Sequence, residues 1–393
     1  MAAVDLLGTN PLRLSQAAAP GASRPATTAL LSPDEADGLT GEWQSLAAAA
    51  GEDNHFFLAD VVLAATRHFA KEVRLLTVRN AAGRLVALTP ATRTRLGRVA
   101  PALRVWSHQY GPFGVPLVAD GELAEAAAGF IQAAKTLVFP DLPLASPVAT
   151  ALTRAAAEAG RTVRIVDAHE RAGLFRDTAP DDLRAALPTR RRKEFARQMR
   201  RLADLGPVAS ESVAEPQAVT AAFEEFLALE AAGWKGEGET AILSNPPIAA
   251  FARDVVGRRA AAGGVRIDAL RLAGKPIAIV VSFVAGAAAW TWKIAFDEAF
   301  ARFSPGAQLM LELPRHVFAD GKVARIDSLA VADHPMIDHL WRDRLRIGTL
   351  VIGPGGPLHR LALLSTESEI RARALVRQLR DRWQRRGHKE TET

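Results

Sequence analysis

Two stretches of this 393-residue chain echo each other, and such an echo points to one folding unit built twice. VRLLTVRNAAGRLVAL begins at Val73 and VRIDALRLAGKPIAI at Val265. Each reads as a strand, a glycine turn (Gly83 or Gly274) and a second strand. Further along, DLPLASP begins at Asp141 and DSLAVADHP at Asp327. Each follows a short apolar strand and leads through Pro147 or Pro335 into a helical stretch. Between these landmarks each half has a Trp-bearing strand (Trp106; Trp290 and Trp292), a Gly/Pro turn (residues 110–116; 304–306) and an apolar helix. Strands alternating with helices give an α/β (α+β) class with two tandem copies of one unit.

The second copy reads element by element. Pro207–Val213 is a strand, and Pro216–Ala232 and Pro246–Ala262 are helices opened by Pro. The hairpin and Trp strand follow, then a helix near 306–318, a strand 323–328, a helix 335–347 and a last strand near 358–364. The expected division is a disordered tail 1–27, a first unit 28–175, a basic connecting helix 176–206, a second unit 207–366 and a basic C-terminal helix 367–393. That last helix puts Ile370, Leu375, Val376, Leu379 and Trp383 on one side. It either docks on the body or meets a membrane surface or another anionic partner.

Composition excludes several classes. There is no cysteine, hence no disulfide, thiolate metal site or Cys nucleophile. No apolar run is long enough to span a bilayer, and the N-terminus lacks the pattern of a signal peptide, so a cytoplasmic protein is expected. The net charge of +6 is concentrated in the C-terminal helix and in TRRRKEFARQMRRLADLG, Thr189–Gly206. On that second helix Arg190, Lys193, Arg197, Arg200 and Arg201 cover one broad face beside Arg192, with Phe195, Met199 and Leu202 on another. It is either a solvated face or a site for phosphates or an acidic glycan. No DNA-binding motif occurs, while tRNA stays open.

The chemistry-bearing residues cluster in copy two. Ser304, Pro305 and Gly306 open a helix, whose first N–H groups suit a phosphate. Ser304 is also a good cap, and Gly306 leaves room for a ligand. In WTWKIAFDEAF, period two places Trp290, Trp292 and Ile294 on one face and Thr291, Lys293 and Ala295 on the other. Lys293 is then either at a sheet end or in a working cleft. Asp297 can hold the next loop through backbone N–H groups. Asp327, closing its strand, either accepts a proton or caps a turn. Trp234–Lys235 follow a helix in a Gly-rich loop, where Trp234 can serve as an apolar anchor. SHQYGPFGVPL in copy one holds His108 and Tyr110, the chain's only Tyr, in a turn that is either structural or a substrate contact.

This order of elements, with these residues, resembles the GNAT acyltransferase superfamily, more narrowly its CelD/BcsL-like branch and the related Fem peptidyltransferases. The resemblance covers roughly residues 30–365 and implies a tandem GNAT fold. It implies that FSPGAQL, with Ser304, Pro305, Gly306, Ala307 and Gln308, binds the pyrophosphate of acetyl-CoA or another acyl-CoA, although the usual Gln/Arg-x-x-Gly-x-Gly/Ala signature is not intact. It implies an N-acyltransferase needing no metal, with Asp327 and then Lys293 as candidate bases. Trp234, Lys235, His108, Tyr110, Trp292, Asp297 and Arg192 would lie toward the acceptor. Phe296 and Asp297 stand where the family has a Tyr-Asp pair, and copy two holds no Tyr that could protonate the leaving thiolate. The branch points to an amino sugar or polysaccharide precursor; a Fem-like aminoacyl-tRNA donor or a non-catalytic exopolysaccharide accessory role are the alternatives.

Overall fold

Short β-rich runs and Pro-opened helices alternate along the chain, and each finds its place in one mixed sheet. The computed structural model describes residues 26–233, 238 and 240–390. The expected tail 1–27 falls almost wholly outside them. Copy one runs β1 (Thr27–Leu31), α1 (Pro33–Asp37), α2 (Thr40–Ala48), α3 (Ala59–His68), β2 (Arg74–Arg79), β3 (Leu85–Leu96), β4 (Ala100–Val105), β5 (Leu117–Val118), α4 (Leu123–Ala133), β6 (Leu137–Pro143), α5 (Pro147–Glu158) and β7 (Thr162–Phe175). The connecting helix is α6 (Thr189–Ala203). Copy two runs β8 (Val208–Val213), α7 (Pro216–Ala232), α8 (Pro246–Ala261), β9 (Val265–Leu272), β10 (Lys275–Ala285), β11 (Ala288–Phe296), α9 (Pro305–Val317), β12 (Arg325–Asp327) and β13 (Asp343–Gly353), before α10 (Pro357–Glu390). The tandem α/β repeat read from the sequence is therefore present, with β1 answering β8, the β2–β3 hairpin answering β9–β10, and α4 answering α9.

Local chemistry explains the helix starts. Pro216 and Pro246 sit in first turns where no N–H is needed, with Glu215 and Asn245 accepting the next backbone donors. Ser146 caps α5 in the same way before Pro147. After Pro335 the outcome differs. The expected helix 335–347 is only a 3₁₀ turn at Ile337–His339, and the last strand is β13, not 358–364. LRIGTLVIG is rich in β-branched residues and fits a strand. The C-terminal helix consequently begins at Pro357, earlier than expected.

The sheet order is β1-β2-β3-β4-β6-β13-β7-β12-β11-β10-β9-β8, with β5 on β3. The centre is an exchange. β7, the last strand of copy one, pairs with β12 of copy two, while β13, the last strand of copy two, pairs with β6 of copy one. β7 and β13 lie antiparallel to each other. β7 and β13 thus each join the sheet of the other copy. The larger core is shared between copies, with Trp43, Phe57 and Phe113 from the first and Phe223, Phe226 and Trp290 from the second. Fully burying one such side chain stabilises by roughly 1.5–3 kcal/mol. A second core lies under α6 and α9.

Candidate active site

The decisive irregularity is in β11. Opposite β10, Lys293 pairs with Val281 but Thr291 pairs with Ser282, so Trp292 is an extra residue, a β-bulge. The bulge shifts the alternation. Trp292 packs in the larger core, its ring 5.0 Å from that of Phe283, and its Nε1 donates to the carbonyl of Tyr110 at 2.8 Å. Lys293 reaches the same turn, with Nζ 4.9 Å from the centroid of the Tyr110 ring. Ile294 and Phe296 pack against the other core. The expected separation of Lys293 from Trp292 is therefore overturned, because period two holds only in an unbroken ladder.

β11 and β12 pair in parallel only from Ala288 to Trp290 and Arg325 to Asp327, then diverge. Thr291 Oγ1 bridges the opening by donating to the carbonyl of Ser328 at 3.1 Å. Beyond this point, among the described residues, no strand ladder joins β11 to β12.

The first turn of α9 abuts this edge. A Cβ on Gly306 would stand 3.3 Å from Ile294 Cδ1 and 3.9 Å from Met336 Sδ. Gly306 thus serves close packing against β11 rather than leaving open room. Ser304 does not cap the helix, contrary to expectation. It ends the preceding 3₁₀ turn, Glu298–Phe303, in a left-handed conformation (φ 52°, ψ 50°), and its side chain makes no capping hydrogen bond to α9. Pro305 has no N–H, and the N–H groups of Gly306 and Ala307 have no acceptor within the helix. A bulged strand, a splayed neighbour and an uncapped helix start therefore meet at Ile294.

Residues 189–334 match the model of the family described as Acetyltransferase (GNAT) domain. Copy two contains a GNAT-type acetyltransferase domain. No similar sequence was found among curated proteins. Among solved structures, FemX is 10% identical with a TM-score of 0.52, covering 82% of this chain and 98% of that one. L-PGS from Bacillus licheniformis is 11% identical with a TM-score of 0.51, covering 86% and 98%. A conserved protein of unknown function from Bacteroides thetaiotaomicron is 12% identical with a TM-score of 0.50, covering 80% and 96%. These likenesses concern the fold.

Several residues expected at the GNAT site have other partners. Gln308 is buried, and its amide joins Arg184 Nη1 at 2.5 Å and the Phe195 carbonyl at 3.1 Å, so it ties α9 to α6 instead of facing a ligand. Asp327 is buried. Its Oδ2 accepts from Arg171 Nη2 at 2.6 Å and its Oδ1 from the N–H of Leu329 at 2.9 Å. With both oxygens engaged and its charge compensated, Asp327 does not fit the role of proton acceptor. Arg171 itself comes from β7 of copy one, a residue no sequence pattern singled out. Asp297 accepts the N–H of Ala299 at 2.9 Å, holding its loop as expected, and lines a cavity of about 550 Å³ with Leu229, Ile277 and Phe300. Arg192 is exposed and donates to the Ala185 carbonyl at 3.3 Å. Trp234 and Lys235 lie outside the described residues.

The copy-one turn does reach the GNAT domain. The His108 ring stacks on Trp106 (4.1 Å between centroids), lies 6.1 Å from Tyr110, and approaches Phe251 of α8. Burial, and secondarily the charge of Lys293, lowers the His108 pKa to about 3. Burial, and then the Glu230 carboxylate, raises that of Tyr110. Gly114 fixes the turn, because a Cβ there would overlap the carbonyl oxygen of Pro140. Glu230 was missed by the sequence reading. It is buried at the end of α7 and accepts the N–H of Ile242 at 2.9 Å. A signal for it exists, since Glu230 falls on the apolar face set by Val219, Phe223, Phe226 and Leu227. Among the described residues no group of His, Asp and Glu could hold a metal.

Proposed function

We propose that the protein is an N-acyltransferase that moves an acetyl or other acyl group from acyl-CoA to an amine. The observation that carries this reading is the meeting of the Trp292 bulge, the splay of β11 from β12, and the uncapped first turn of α9. The N–H groups of Gly306 and Ala307, at the positive end of a 13-residue helix, would receive the pyrophosphate. The splay between β11 and β12 would admit the amide-bearing arm of the co-substrate. Backbone N–H groups at the bulge would stabilise the oxyanion formed when the amine attacks the thioester carbonyl. Holding both reactants in one cleft supplies much of the acceleration.

With Asp327 engaged by Arg171, the proton acceptor in this reading is Lys293, acting in its neutral form. The turn carrying His108 and Tyr110 supplies the acceptor side. On the resemblance of FSPGAQL to the CelD/BcsL-like branch, the acceptor is an amino sugar or polysaccharide precursor. A second reading, a Fem-like transferase using aminoacyl-tRNA, is favoured by the exposed arginines of α6, which lies against α9 through Gln308. A non-catalytic accessory role is the remaining alternative.

Calorimetric titration of acetyl-CoA and CoA into the wild type and Ser304→Asp tests the proposal. Asp tolerates both the left-handed conformation and the cap position, so the variant should fold. Its charge at the helix start is expected to weaken binding about tenfold or more. Absence of binding to the wild type would refute the CoA reading. Retention of charged tRNA by the protein on a filter would then support the second reading, and failure of both would favour the accessory role.

A further inference from the structure

The helix α10 has two apolar faces, and only one of them is used. His359 and Ala362 are buried and Leu363 and Ile370 half-buried against the body. Glu369 pairs with Arg98 and Glu367 with Arg164, holding this half of the helix in place. At 3.6 residues per turn, Leu358, Leu361 and Leu364 fall on the opposite side. They are 57, 56 and 62% exposed. Leu375 and Val376 continue the same stripe at 56 and 65% exposure. Acyl transfer makes no use of this stripe.

We infer that this outer face of α10 seats the protein on an anionic lipid surface. Exposed leucines along one side of a helix are the apolar half of an interfacial helix. The charge supplies the other half. Residues 371–386 hold seven arginines and one acidic residue, Asp381. Such a stretch repels a second copy of itself laid alongside, whereas a bilayer with anionic headgroups attracts it and gives the leucines a place to bury. Among the described residues no helix is long and apolar enough to cross a membrane, so the contact is one of lying on the surface. A seat of this kind would bring the cleft to acceptors carried on lipid.

The test is flotation of the full chain with phosphatidylcholine vesicles, with and without phosphatidylglycerol. The wild type is expected to float with the anionic vesicles only, and to be released by high salt. Leu358→Ser/Leu361→Ser/Leu364→Ser, at exposed positions, should keep the circular dichroism and melting of the wild type and lose binding about tenfold or more. Leu375→Ser/Val376→Ser provides a second variant on the same face, with the same expected loss. No flotation of the wild type, or equal flotation of both variants, would overturn the inference. So would a wild-type dimer in light scattering that the leucine variants dissolve, because the face would then belong to a second copy. All readouts are independent of CoA binding.

Discussion

Arg171 of the first repeat and Asp327 of the second form an ion pair of 2.6 Å, with side chains only 2% and 1% exposed. The pair sits where the exchanged strand β7 meets β12, and Arg171 also donates to the Pro112 carbonyl at 3.0 Å. It thus ties together the exchanged strand, the copy-one turn and the mouth of the splay. Asp327→Asn leaves the guanidinium charge buried and uncompensated, at a cost of about 3–5 kcal/mol. Urea unfolding should show that loss. Replacing both partners, Arg171→Met with Asp327→Leu, should cost clearly less than the sum of the single changes. Unchanged stability in Asp327→Asn, together with a lost turnover, would return Asp327 to the chemistry.

The bulge residue Trp292 is expected to matter through its ring nitrogen. Trp292→Phe removes the donor to the Tyr110 carbonyl and strands that acceptor near the domain interface. A loss of about 1 kcal/mol follows, read by chemical denaturation. If the turn shapes the acceptor side, acceptor KM should rise while the affinity for acetyl-CoA stays.

Acid should destabilise the fold through its buried histidines. His108 is held neutral with a pKa of about 3, and burial also lowers His55, His334 and His359. A depressed histidine binds fewer protons folded than unfolded, so stability is full above the unfolded value, near 6.5, and falls as pH drops below it. For His108 the loss continues down to about pH 3. Each fully depressed histidine contributes a slope of up to about 1.4 kcal/mol per pH unit. Denaturation at pH 7 and pH 5 should show the drop, and His108→Gln should shallow it.

Lys293 accepts a proton only when neutral, so turnover limited by this step should rise with pH. Lys293→Gln is expected to lower kcat by about a hundredfold or more and to remove that alkaline rise. Binding of CoA should persist. An unaltered pH profile in the variant would show that the proton leaves by another route.

Much of this was legible from residues alone. The echo of Val73 in Val265, with Gly83 and Gly274 at matching turns, gave the tandem α/β plan, because local pattern and turn chemistry act within a few residues. Ser304, Pro305 and Gly306 marked the start of α9 for the same reason. Yet Ser304 fails as a cap, since the preceding 3₁₀ turn claims its backbone conformation. Gln308, four residues on, turns to Arg184 and Phe195, distant in sequence.

What the chain determined by itself is the kind and order of its elements, since hydrophobic period, capping and proline are properties of neighbours. Only the tertiary structure decided which side of β11 carries Lys293, which acid Arg171 neutralises, and that β7 and β13 change places. A bulge is one extra residue measured against a partner strand, and a buried ion pair joins groups 156 residues apart. Neither exists until the sheet has assembled, because strand register and the desolvation of charge depend on what packs from elsewhere in the chain.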